Sequence, residues 1–141
     1  MARQYIPLTL KQIVADRANS ACEYCRSQSK YSPDNLVIDH IIPLSRGGFT
    51  VSENLALACQ RCNNHKYNKI EVYDEVSAQI ALLFHPRRMS WHEHFIWNDD
   101  KTLMLGMTPT GRVTVLLLRT NREGVVNLRN VLIERGEHPP L

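Results

Sequence analysis

Four cysteines set the strongest limit on how this chain folds. They are all the cysteines in 141 residues, and they fall as two Cys-x-x-Cys pairs, "CEYC" (Cys22, Cys25) and "CQRC" (Cys59, Cys62). The opening stretch MARQYIPLTLKQ has no apolar run followed by a cleavage site, so no secretory leader is expected and the cytoplasm is the expected compartment. Disulfides are disfavoured there, and paired Cys-x-x-Cys motifs point to metal ligation. Two thiolates three residues apart on a tight knuckle reach one ion together. Two such knuckles complete a closed, tetrahedral Zn2+ site with a structural role. A single Cys-x-x-Cys also serves as a redox motif, but two pairs without a thioredoxin-like βαβ pattern argue against that use. Free buried thiols are the competing reading.

Between the knuckles lies segment 26–58, longer than a zinc ribbon needs, so something is inserted there. Its centre is "LVIDHIIPLSRGG", Leu36 to Gly48. Leu36, Val37, Ile38, Ile41 and Ile42 predict a strand over Leu36 to Ile42, ended by Pro43 and a loop at Ser45 to Gly48. Asp39 and His40 stand in its middle. Adjacent strand residues face opposite sides, so one of the two points into apolar surroundings, where an unpaired charge is costly. An edge strand with a surface Asp and a buried, hydrogen-bonded His accommodates the pair without any chemistry. If both serve one site, a bulge or a bend at Pro43 has to bring them together.

The flanking elements follow from period and caps. Thr9 is expected to cap a helix through "LKQIVADRANS", and Ser52 a short turn through Glu53 and Asn54. Leu55 to Ala58 is a second strand, and "NNHKYNK" begins a helix with Asn63 at or near its N-cap. Beyond Lys69 the sequence becomes aromatic and basic. "LFHPRRMSWHEHFIW" is expected to run from loop to strand, "TLMLGM" to be a strand and "TPTG" a turn. "RVTVLLLRTN" fits a helix, with strand as the alternative. Asn121 is expected to cap a last helix, Arg122 to Arg135, whose inner face is Val125, Leu128, Leu132 and Ile133 and which Gly136 and the double proline stop. The class is α+β. The length implies one domain over residues 1–141, with a core at about 20–70 and an extension at about 71–141. No apolar run approaches a membrane span. A net charge of +3 permits nucleic acid as a partner without requiring it.

With Asp39-His40, Gly47-Gly48, Asn54-Leu55, Cys59-x-x-Cys62-Asn63 and Lys66 in that order, the chain from Cys22 to about Lys66 resembles the HNH endonuclease family, of the zinc-knuckled kind. The tail, with "PRR" and "GMTPTGR", is similar to small bacterial members. The resemblance implies a ββα-metal (His-Me finger) core, pinned by the four-cysteine zinc site, that cuts DNA phosphodiester bonds. It implies His40 as general base, Asp39 as ligand of a catalytic Mg2+ or Mn2+, and Asn54 as the residue that steadies the His-bearing loop. The third signature position directly follows the last cysteine and is Asn63 rather than His. The chain is therefore an H-N-N variant in which Asp39 and Asn63 share the ion, and His65 is left as a supplementary ligand or as a phosphate or structural contact.

The chemistry agrees with this assignment. Hydrolysing a phosphodiester needs an activated water and charge stabilisation at phosphorus. A histidine, with an ordinary pKa of about 6.5, is the natural base at neutral pH. Oxygen ligands favour magnesium or manganese over a second zinc. Arg46, Arg61, Lys66 and Lys69 suit phosphate contacts, with a solvated surface as the alternative for each. Arg87 and Arg88 beside Trp91 would extend the groove. His92 and His94 are either a metal pair or packing and surface residues. Two other functions compete: a catalytically silent zinc-knuckle module that binds nucleic acid, and a zinc protein that docks a partner through Trp91, Phe95 and Trp97. A mere binder needs none of Asp39, His40, Asn54 and Asn63, and all four are present.

Overall fold

A computed structural model describes residues 5–140. Its centre is a two-stranded antiparallel hairpin, β1 (Val37–His40) and β2 (Leu55–Ala58), followed directly by helix α2 (Gln60–Lys66). Every residue of β2 is buried, because the "LALA" alternation is used on both faces. Leu55 and Leu57 pack on Val14 of helix α1 (Leu8–Arg17) and on Ala18, which ends it, while Ala56 and Ala58 join the main core. That core contains the cysteines, Tyr24 and Ile41, and also Phe84, Trp91, Phe95, Met104, Val113 and Leu118 from beyond residue 70. Fully burying a side chain such as Phe95 or Leu118 contributes roughly 1.5–3 kcal/mol.

The rest of the chain adds two further hairpins, β3 (Glu71–Asp74) with β4 (Gln79–Leu82) and β5 (Phe95–Trp97) with β6 (Met104–Gly106). It also adds a single-turn helix α3 (Trp91–His94) and two longer helices, α4 (Pro109–Leu118) and α5 (Glu123–Glu134). Among the described residues no helix is long and apolar enough to cross a membrane.

Apart from the β3–β4 hairpin and the single turn α3, which the sequence does not announce, element type follows the sequence; boundaries depart from it for local reasons. Pro7, not Thr9, precedes α1, which has no side-chain cap. The first strand stops at His40 because the Asn54 side chain takes over the backbone of Ile42. Helix α2 starts before Asn63: Cys59 is its N-cap, and the Cys59 sulfur accepts from the Cys62 N–H. "TPTG" is a helix start, not a free turn. Thr108 Oγ1 accepts from the Gly111 N–H at 3.0 Å, and Pro109 occupies the first turn, where its missing N–H costs nothing. Arg122, not Asn121, precedes α5. The Asn121 amide instead grips Met104, accepting from its N–H and donating to its C=O, each at 2.8 Å.

Candidate metal centre and catalytic strand

The four cysteine sulfurs all lie within 4.8 Å of one another and all four residues are buried. Cys25 and Cys59 are 3.7 Å apart at sulfur, far beyond a disulfide bond of about 2.05 Å. In each knuckle the second cysteine's N–H points at the first cysteine's sulfur, Cys25 to Cys22 and Cys62 to Cys59, both at 3.5 Å. A guanidinium completes the shell: Arg122 Nη2 donates to the Cys59 sulfur at 3.1 Å and Nη1 to the Cys62 sulfur at 3.7 Å. Soft, buried sulfur donors that gather N–H groups and a cation are what a zinc tetrathiolate needs. Among the described residues this is the only group of three or more His, Cys, Asp and Glu side chains placed to share an ion.

The first knuckle also builds the strand pair. Glu23 N–H donates to the Leu57 carbonyl and the Leu57 N–H to the Glu23 carboxylate, both at 2.8 Å, so the knuckle covers the open edge of β2. Arg87 pairs with the same carboxylate. Tyr24, fully buried, then lies under β1 and donates its hydroxyl to Asp39 Oδ2 at 2.6 Å.

The hairpin register runs unbroken, Asp39 opposite Ala56 and His40 opposite Leu55. No bulge turns the two polar residues to one side, contrary to the sequence expectation. Asp39 points inward, where Lys66 reaches it from α2 at 3.2 Å. The Lys66 ammonium also donates to the carbonyls of His40 (3.2 Å) and Ile41 (2.9 Å). Burial pushes the Asp39 carboxyl up, against the pull of Lys66. His40 faces the other way, half-buried, with Nε2 2.9 Å from Thr50 Oγ1. Burial pushes this imidazole below its ordinary value, with Asp39 opposing, so the neutral, proton-accepting form is favoured.

The loop after His40 is held by Asn54. Its Oδ1 accepts from Ile42 N–H at 2.8 Å, and its Nδ2 donates to the carbonyls of Ile42 (3.0 Å) and Phe49 (2.9 Å). The glycine pair fits this closure. Gly47 has φ +85°, and a β-carbon on Gly48 would lie 1.8 Å from the Ile42 carbonyl oxygen. Neither position takes a side chain without strain.

The basic residues separate into two kinds. Arg61 and Lys69 are exposed, and so is Arg46, whose Nε is tied to the Asn68 carbonyl. Lys66 is 1% exposed and its ammonium is spent on Asp39 and two carbonyls, so its expected role as a phosphate contact is corrected. Asn63 is half-buried one turn before Lys66 on α2. Half-buried His65 is held below its ordinary value by burial and then by Arg119, Arg122 and Arg61. Arg87 is engaged by Glu23 and does not extend a groove. His94 Nδ1 sits 2.6 Å from Thr108 Oγ1 while His92 is exposed against Trp91, so they form no metal pair.

Removing one partner of a buried ion pair leaves an uncompensated charge, which typically costs about 3–5 kcal/mol. Lys66→Met should therefore lose that much in chemical denaturation, and adding Asp39→Asn to it should recover most of the loss. A loss in Lys66→Met below about 1 kcal/mol, the range of an exposed pair, would show that this contact does not hold α2 to β1.

Residues 22–69, about a third of the chain, match the family model described as HNH endonuclease. The resemblance read from Cys22 to about Lys66 is thus met over nearly the same residues. A 53-residue stretch is 43% identical to the CRISPR-associated endonuclease Cas9 of Corynebacterium diphtheriae, covering 37% of this chain and 5% of that protein. The chain spans only a small fraction of that relative.

Proposed function

We propose that this protein is a metal-dependent endonuclease that hydrolyses DNA phosphodiester bonds with a ββα-metal core formed by β1, β2 and α2. One observation carries the reading: within the segment that matches the HNH endonuclease family, a half-buried His40, favoured in its neutral form, closes a strand whose following loop is locked by Asn54. His40 accepts the proton of the attacking water. Thr50 Oγ1 orients its ring, and Asn54 fixes the backbone on which the ring is carried. The carboxylate of Asp39 and the amide of Asn63 are oxygen donors of the kind a hard divalent ion takes, and Asp39 could offer its carboxylate beside His40 only by giving up Lys66 and turning out of the core. Such an ion, Mg2+ or Mn2+, would supply charge stabilisation at the phosphate. In the structure Tyr24 and Lys66 engage the Asp39 oxygens. The zinc at the four cysteines is structural and takes no part in the reaction.

The test is supercoiled plasmid incubated with pure protein, with and without EDTA and with added magnesium or manganese. Relaxation or linearisation that needs a divalent ion beyond the structural zinc supports the reading. Binding without cleavage under every ion would leave the silent nucleic-acid-binding module as the better account.

Exposed Arg61 and Lys69 flank α2 and are the phosphate contacts of this reading, with Arg46 on the glycine loop. Arg61→Ala or Lys69→Ala should each lower the slope of log affinity against log salt by about one unit. A slope unchanged in a salt titration would return that residue to the solvated surface.

A further inference from the structure

Two arginines of the extension, Arg129 buried and Arg122 half-buried, lie against the knuckles without an acid to balance them. Arg129, in the middle of α5, is 3% exposed, and all its partners are neutral: the carbonyls of Thr102, Thr120 and Cys25 and the Asn121 amide oxygen, at 2.8–3.2 Å. Its guanidinium lies 4.9 Å from the centre of the Trp97 ring. Arg122, half-buried at the start of the same helix, donates to two cysteine sulfurs. The ion pairs among the described residues are Lys66–Asp39, Arg87–Glu23 and Arg112–Asp74, and neither Arg122 nor Arg129 belongs to one. A buried cation needs a counter-charge, and leaving one without it is expensive. Four thiolates around one Zn2+ leave two negative charges; Arg122 and Arg129 bring positive charge to them from the extension, beside Arg26 of the first knuckle, which faces Cys22 and Cys25.

We propose that Arg122 and Arg129 are counter-charges of the four-cysteine metal centre, so that holding the metal and folding the C-terminal extension are one coupled event. Arg122 acts on the sulfurs of the second knuckle directly. Arg129 acts on the first through the Cys25 carbonyl, and at the same time it fastens β6, the α4–α5 corner and Trp97 around itself. The extension is then a part of the metal site rather than an appendage to it. This inference rests on the reading of the cysteines as a zinc centre and is independent of any nuclease activity.

The experiment measures zinc transfer from the full-length protein to a chromophoric chelator, beside hydrogen exchange of α5 amides before and after transfer. Loss of an outer-shell partner typically costs 10–100-fold in metal affinity. Arg122→Met should therefore release zinc at least tenfold faster, Arg122→Lys should recover part of that, and Arg135→Met, an exposed arginine at the other end of α5, should behave as wild type. In the wild type, α5 protection should be lost as zinc leaves. Equal release from wild type, Arg122→Met and Arg129→Met would overturn the proposal, and so would an α5 that stays protected after the metal is gone. Should Arg129→Met fail to fold, Arg122→Lys and the wild-type exchange experiment still decide. A wild type that contains no metal would overturn the zinc centre itself, a result distinct from metal that is present but indifferent to the arginines.

Discussion

Cys59→Ser should unfold the centre of the protein, not merely slow a reaction. Cys59 does three things at once: it is one of the four sulfurs placed to hold a metal, it caps α2 by accepting the Cys62 N–H, and it receives Arg122. Structural zinc contributes about 10–16 kcal/mol in zinc-finger peptides, as much as the roughly 5–15 kcal/mol total stability of a typical domain. Serine is itself a preferred N-cap, so the substitution can keep the α2 cap and its loss reports mainly the missing thiolate. The purified wild type should carry one zinc, and both the variant and the chelated wild type should lose the cooperative thermal transition and the helical circular dichroism. Metal analysis finding no zinc, with all four thiols freely titratable in a folded protein, would remove the site.

The second large effect is on the reaction. His40→Ala should slow plasmid cleavage by roughly 10²–10⁴-fold, the usual contribution of a positioned base, with zinc content and DNA affinity unchanged. The fold has little at stake, because the His40 side chain is half-buried and bonded only to Thr50, outside the Asp39–Lys66 contact. Asp39→Ala should be different in kind. It frees a buried lysine, so stability and activity fall together, and added metal cannot restore the lost pairing. Full activity in both variants would leave the endonuclease reading without a site. If His40→Ala instead lost stability as Asp39→Ala does, its histidine would be packing, as in a strand with no chemistry.

The sequence showed what depends on spacing. The two knuckles, the Leu55–Ala58 strand and the last helix follow from ligand geometry or from hydrophobic period, and the structure contains them. The β3–β4 hairpin was not legible, because its solvent-facing side carries apolar residues as its packed side does, so no alternation stands out. Tyr73, Ile80 and Leu82 are exposed, and its turn is carried by Ala78 at φ +58°, a residue that announces no turn. Lys66 looked like a surface cation, since nothing local distinguishes a buried lysine until its carboxylate is known. Arg129 does leave a signal: it lies between Val125 and Leu132 on the inner face of the last helix, where the period calls for an apolar residue. A charge at that position implies a partner inside, which here lies a hundred residues away in sequence at Cys25.

The two residues inside the first knuckle carry a lesson about exchange between proteins. A Cys-x-x-Cys turn is usually treated as an interchangeable clip whose inner positions are free to drift. Here Glu23 closes the β2 edge and Tyr24 reaches Asp39. A foreign clip grafted at residues 22–25 would bring both sulfurs and keep the metal, yet it would strip the hairpin's border and take away one of the two donors on Asp39. Inheritance of this knuckle is therefore tied to that of the hairpin it touches at Asp39 and Leu57, 15 and 34 positions along the chain, and neither segment is free to be shuffled without the other.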